Sequence, residues 1–225
     1  MQNIVFDKTP NFTPGNGTFK PIGFIIHGTL GSYGGSVSWL KTPPEKRPVI
    51  SYSSAHYVVA KDGRCTQLVA DTDISWHAGN ISNPTEEAKK LLPASNGKSL
   101  NPNFNFIGIE LEWFVGDVVT SAQYDTIMQI IKKVNIKDPV ILCHRQITDY
   151  KSDFTTKDGK TDLTVVNEVR KRLLAASTTV PAPTPEKVDT ITPLLAKLNT
   201  QLAAKNFREA KDTTQYLFNE IAKAI

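Results

Sequence analysis

Residues 22–27 read IGFIIH, an uninterrupted apolar run of strand length that ends on a histidine and is followed by Gly28. A run without polar alternation suits a strand buried on both faces, and such a strand needs helices above and below its sheet. The chain contains matching parts. Residues 55–60 (AHYVVA) and 65–70 (CTQLVA) flank KDGR, whose Asp62-Gly63 pair is a strong hairpin signal. Residues 106–113 (FIGIELEW) and 140–144 (VILCH) read as further strands. Residues 121–134 place Tyr124, Ile127, Met128, Ile131 and Val134 on one helix face, with Thr120 or Ser121 as the N-cap. Residues 162–175 do the same with Leu163, Val166, Val169 and Leu173. Strands alternating with helical patterns predict an α/β layer fold.

The flanking regions differ in character. The first twenty residues, rich in Asn, Thr, Pro and Gly, read as an extended lead-in. The body, residues 1–177, is followed by a proline-rich linker at 178–187 (TTVPAPTPEK). Residues 188–225 then read as two amphipathic helices, lined by Leu194, Leu195, Leu198 and Leu202 and by Phe207, Ala210, Tyr216, Leu217 and Ile221. About forty residues make a poor independent core, so a helical hairpin that docks, self-associates or targets a cell wall is expected.

Composition excludes several classes. With 40% hydrophobic and 21% charged residues, 13 Gly and 14 Pro, the 225-residue chain is neither disordered nor collagen-like. No apolar run reaches the roughly 18 residues that a membrane span requires. The N-terminus lacks a signal-peptide pattern, so synthesis in the (host) cytosol is expected. A net charge of +4 suits weak attraction to an anionic polymer, yet there is no dense Lys/Arg cluster of the kind nucleic acid demands. Two cysteines, Cys65 and Cys143, make no disulfide framework, and Cys143 reads as a buried small hydrophobe.

The candidate chemistry lies in four histidines, His27, His56, His77 and His144. His27 and His144 each end an apolar strand run, and ligands of α/β sheets gather beyond strand ends. Asp153 follows His144 by nine residues. Two imidazoles and a carboxylate on separate elements can supply three ligands to Zn²⁺, leaving a fourth position for water. Taken singly, each strand-end histidine also fits a hydrogen-bonded structural residue. Glu110 and Glu112 alternate on one strand face; a carboxylate there can exchange protons with a water, or simply face solvent. Their common direction argues against a glycosidase pair flanking a bond from opposite sides. Lys151 can stabilise an oxyanion. Trp39, Trp76 and Trp113 are candidate substrate platforms or packing residues. The glycine-rich GTLGSYGGS after His27 reads as a loop that lets a bulky ligand approach closely.

FIIHGTLG, SAHYVVAKDG, ISWHAGN, FIGIELEW and LCHRQITDYKSD occur in that order. Together they resemble the zinc-dependent N-acetylmuramoyl-L-alanine amidases of type 2, a family that includes phage lysozyme-amidases and peptidoglycan recognition proteins. The resemblance spans about residues 20–175. It implies a mixed central β-sheet flanked by helices, one Zn²⁺ per chain, and a peptidoglycan or muropeptide substrate. It places His27, His144 and Asp153 as metal ligands, with Asp149 the alternative to Asp153. Glu110 matches the catalytic glutamate and Lys151 the lysine assisting the transition state. His77 matches a cleft residue with a substrate or structural role, and His56 a position near the metal with a supporting or packing role. A phage endolysin acting on the bacterial cell wall is the reading the resemblance implies, against a cytosolic recycling amidase or a binding module without catalysis. Noncatalytic members usually lack a ligand, and here each ligand position is filled.

Overall fold

The structure, a computed structural model, describes residues 3–93, 101–156 and 158–178, with residues 196 and 200. The chain divides into two compact units, Met1–Arg172 and Leu173–Ile225, and the first holds the sheets. The expected linker and C-terminal hairpin lie outside the described residues, save for a helix end at Thr178 and residues 196 and 200, which are helical.

The elements in chain order are strands β1 (Ile4–Phe6), β2 (Phe12–Thr13) and β3 (Gly23–Gly28), and helix α1 (Tyr33–Lys41). Then come β4 (Tyr57–Val59), β5 (Cys65–Gln67), β6 (Ile74–Ser75), α2 (Glu86–Leu91) and β7 (Phe106–Leu111). The series ends with α3 (Ser121–Val134), β8 (Val140–Cys143), α4 (His144–Ile147) and α5 (Thr164–Thr178). Six strands form a mixed sheet in the order β1-β5-β4-β7-β3-β8, in which only the β4–β5 hairpin is antiparallel. All six residues of β3 are buried, the environment its continuous apolar run requires.

Local chemistry accounts for the boundaries. The hairpin turns at Gly63, whose φ of +88° suits glycine, and Ala60 and Arg64 close it through a backbone bond. Helix α3 starts at a capping box: the Thr120 hydroxyl accepts from the Gln123 N–H while the Gln123 side chain accepts from the Thr120 N–H. It ends at Asn135 in the left-handed conformation.

One face of the sheet is covered by α3, whose Lys133 donates to the Tyr57 hydroxyl, and by α5, joined to α3 through Arg172 and Asp125. The opposite face carries two apolar clusters. Ile25, Ala78, Ala88, Phe106, Leu142 and Ile147 pack towards β8, and Leu40, Ala55, Val58 and Leu68 pack towards β5. Between them runs a polar stripe, and it holds the site.

Two segments depart from the sequence expectation. The lead-in is not merely extended: Ile4–Phe6 add a parallel edge strand to β5, and Phe12–Thr13 pair with β6. Pairs this short carry too few residues for a periodic signal. The glycine-rich stretch after His27 is loop only to Ser32. Gly34 and Gly35 lie inside α1, whose N-cap Ser32 accepts from the Gly35 N–H and whose Leu40 is buried. Capping and packing thereby offset the roughly 1 kcal/mol that each helical glycine costs. Helix α2, capped by Thr85, has only six residues and is likewise too short for a periodic signal.

Candidate active site

Parallel pairing of β3 with β7 puts His27 directly beside Glu110. His144 begins α4 immediately after β8, the other neighbour of β3. Three adjacent strands thus deliver their functional side chains at their C-terminal ends, where ligands of such sheets collect. Asp153 arrives from the loop beyond α4 and is buried with both histidines.

The ring nitrogens facing inwards carry no protons when the rings are neutral. His77 Nε2 lies 3.1 Å from the Phe106 carbonyl, to which it donates, so its Nδ1 accepts. His27 Nε2 lies 2.9 Å from that Nδ1 and therefore donates, leaving His27 Nδ1 as a bare lone pair. His144 Nε2 donates to the Ala78 carbonyl at 3.1 Å, which bares its Nδ1 as well. The two Nδ1 atoms are 2.9 Å apart, and Asp153 Oδ2 lies 3.8 and 3.6 Å from them. That oxygen is buried without a hydrogen-bond partner. Burial, followed by the charges of His144, His77 and Lys151, holds His27 well below the ordinary imidazole pKa, so it is neutral near pH 7.

Three lone pairs converging with no donor between them would repel one another in a dry site. A cation resolves this. Separations of 2.9, 3.8 and 3.6 Å let the two nitrogens and the carboxylate oxygen serve one ion together, and two imidazoles with a carboxylate are a donor set that zinc accepts. The donor set therefore fits a zinc ion with three protein ligands.

Glu110 is partly buried beside this cluster. Burial first, and then the Asp153 carboxylate, push its carboxyl up to about 8, with Lys151 pulling the other way. Lys151, Glu110 and the three clustered residues line one cleft of about 720 Å³. Its wall continues through Gly31, Ser32, Gly35 and Ser36 to Trp39, which is half-exposed and has the Arg47 guanidinium 5.0 Å from its ring.

The other sequence candidates fall elsewhere. Asp149 is exposed and accepts from Ser82 and Asn83, away from the cluster. Trp76 is not among the cleft residues: its indole donates to Thr13 and meets Tyr52. It directly follows β6, and its bond to Thr13 of β2 turns it from the stripe. Trp113 is buried against Phe154. Glu112, one residue past β7, accepts from the Lys61 N–H on the hairpin. His56 is fully buried, donates from Nε2 to the Asp73 carbonyl, and accepts at Nδ1 from Gly108 N–H and Ser75. Burial lowers its pKa to about 4, against the opposing Asp73 bond. Both cysteines are buried, and burial raises each thiol to about 12.

Sequence reasoning missed Gly108. A Cβ there would sit 2.4 Å from His77 Cγ, so glycine makes room for the ring that orients His27. The period of a strand offers the signal, since Gly108 stands two residues before Glu110 and shares its face.

A profile of the N-acetylmuramoyl-L-alanine amidase family matches residues 18–160. The chain belongs to this family. An amidase relative, N-acetylmuramoyl-L-alanine amidase A of Achromobacter lyticus, is 42% identical over 57 residues, which span 25% of this chain and 29% of that relative. The fold of this family member also resembles two solved structures. A Se-Met AmpD derivative aligns at a TM-score of 0.52 with 19% identity, over 75% of this chain and 95% of that one. Staphylococcus aureus hydrolase AmiA, in complex with its ligand, aligns at 0.50 with 14% identity, over 80% and 87% of the two chains. These likenesses support the amidase fold, and the matched span contains every residue of the converging cluster.

Proposed function

We propose that this chain is a zinc-dependent peptidoglycan hydrolase of endolysin type, cleaving the amide between the lactyl group of N-acetylmuramic acid and L-alanine of the stem peptide. The observation that carries the proposal is the convergence of His27 Nδ1, His144 Nδ1 and Asp153 Oδ2 beside Glu110 in a chain of the N-acetylmuramoyl-L-alanine amidase family.

His27, His144 and Asp153 would hold the Zn²⁺, which when bound supplies Lewis-acid polarisation of the scissile carbonyl and acidifies a water. Glu110 accepts the proton of the attacking water on its carboxylate and delivers it to the departing L-alanine amine. Lys151 favours the ionised Glu110 that takes the proton, and burial favours the protonated Glu110 that gives it back. The Lys151 ammonium, whose charge is felt at both His27 and Glu110, steadies the oxyanion that develops on the carbonyl. His77 keeps His27 in the tautomer that presents Nδ1. Small residues along α1 leave space for a polymer, and the net charge of +4 favours an anionic wall.

The deciding experiment digests intact sacculi and soluble muropeptides in parallel and identifies new amino termini. Free L-alanine amines from sacculi, lost with chelator and restored by zinc, are expected. New reducing sugars without new amines would overturn the amidase reading. Cleavage of soluble fragments alone would overturn the endolysin part.

A further inference from the structure

Asp153 is held in an unusual way. Its carboxylate is buried beside His27 and His144, yet it accepts no hydrogen bond from any described residue, and Oδ2 is wholly without a partner. Carboxylates that ligate metals are ordinarily oriented by such bonds. The direction of this one must come from its backbone and from what packs around it.

The neighbouring residue supplies both. Phe154 has a φ of +53°, a left-handed conformation that is unfavourable for a bulky residue. Only a surrounding that over-determines it keeps a phenylalanine there. Phe154 is 2% exposed, and its ring lies 5.2 Å from the Trp113 ring, tilted by 47° to it. Trp113 is fixed in turn: its indole N–H donates to the Asp117 carbonyl at 2.8 Å, and its backbone bridges Gly31. The indole also packs onto the Cα of Gly28, where a Cβ would come within 2.7 Å of Trp113 Cε3 and 3.5 Å of Asp153 Cβ. Gly28, Trp113, Phe154 and Asp153 thus form one continuous contact, beginning at the residue after His27.

We propose that the Phe154–Trp113 ring contact is the positioning device of the third ligand: it clamps the backbone after Asp153 in its left-handed turn and so aims the carboxylate at His27 and His144. The contact replaces the hydrogen bonds that the carboxylate lacks. Phe154 and Trp113 are positioning residues, since neither reaches the reacting atoms. The inference rests on the zinc reading of the site.

Its test measures zinc affinity of the full chain by chelator competition, with circular dichroism and a thermal midpoint as controls of folding. Phe154→Gly relieves the backbone strain but removes the ring; Phe154→Tyr keeps the ring. Affinity about 10- to 100-fold weaker in Phe154→Gly, with Phe154→Tyr near wild type, is expected. A purely packing role would lower the thermal midpoint and leave affinity alone. If Phe154→Gly fails to fold, Trp113→Phe gives the answer, because it keeps an aromatic core while losing the bond to Asp117; a loss of affinity of about threefold or more is expected there. Affinity within twofold of wild type in a folded Phe154→Gly, or in Trp113→Phe when the first is unfolded, overturns the proposal. Failure of the wild type to bind zinc would instead refute the reading of the metal site, so the two failures are distinct.

Discussion

His27 Nδ1 and His144 Nδ1 face each other across 2.9 Å, and when both rings are neutral neither carries a proton to share. Each ring spends its N–H on the far side, His27 on His77 and His144 on the Ala78 carbonyl. The arrangement is a consequence of backbone carbonyls: Phe106 and Ala78 accept, and everything inwards is left as an acceptor. A pair so placed is stable when a cation stands between the rings and the Asp153 carboxylate.

Removing the outer support should therefore weaken metal binding from a distance. His77→Phe keeps the volume and loses both nitrogens, so His27 is no longer held in one tautomer. Zinc affinity should fall about 10- to 100-fold, with part of it recovered in His77→Gln, which can still accept. Chelator competition measures this. Unchanged affinity in a folded His77→Phe would show that His27 needs no such partner.

Glu110→Gln should separate binding from chemistry. Glu110 belongs to no ligand set, so zinc content should stay at one per chain. Release of L-alanine amines should drop about 10²- to 10⁴-fold, the range for loss of a general acid–base group. Wild-type turnover in this variant would remove Glu110 from its role.

The space above Gly108 offers a test on stability. In Gly108→Ala the new methyl would meet His77 Cγ, Nδ1 and Cβ, atoms near the root of the side chain that cannot swing aside. The variant should lose about 1–3 kcal/mol, read as a lower urea midpoint. Its zinc affinity should fall with it, because the displaced ring is the partner of His27. Full stability would mean that the strand shifts to accept the methyl.

Acid should destabilise the metal-free protein through its buried imidazoles. Folded His56 titrates at about 4 and the free group at 6.5, so between these values the unfolded chain binds a proton that the folded chain refuses. Stability contributed by a neutral His56 is complete above about pH 6.5. It drains as the pH falls, by about 1.4 kcal/mol per unit and about 3 kcal/mol in all. His27 and His77 are lowered in the same direction, also chiefly by burial, and steepen the loss. Urea midpoints at about pH 7 and about pH 5 measure it. Equal midpoints would mean that His56 stays neutral in neither state more than the other.

Much of this was legible in the amino-acid order, for physical reasons. A doubly buried strand must be apolar throughout, and IGFIIH is; a tight hairpin wants Asp-Gly, and KDGR has it. Residues 121–134 announced α3 to the residue because one face is apolar and Thr120 caps it. The histidines stood out because polar residues at the ends of apolar runs are few. What stayed hidden depends on contacts distant in sequence. The chain does not show that Trp39 would line the cleft while Trp76 turned towards Thr13. Nor does it show that Ile4–Phe6 would pair with β5, a choice made by the sheet edge that β5 leaves open. The left-handed Phe154 could not be foreseen, since local preference opposes it and only the Trp113 ring overrides it.

The side-by-side placement of β3 and β7 has a practical corollary for anyone re-engineering this scaffold. Side chains along a strand alternate between faces, so inserting or deleting one residue between Gly23 and Ile26 would swing His27 to the α3 side while Glu110 stayed behind. Such an indel leaves composition, and even apolarity, almost untouched, and yet parts His27 from Glu110. Loops that carry none of the clustered residues can lengthen or shorten; the central strand cannot.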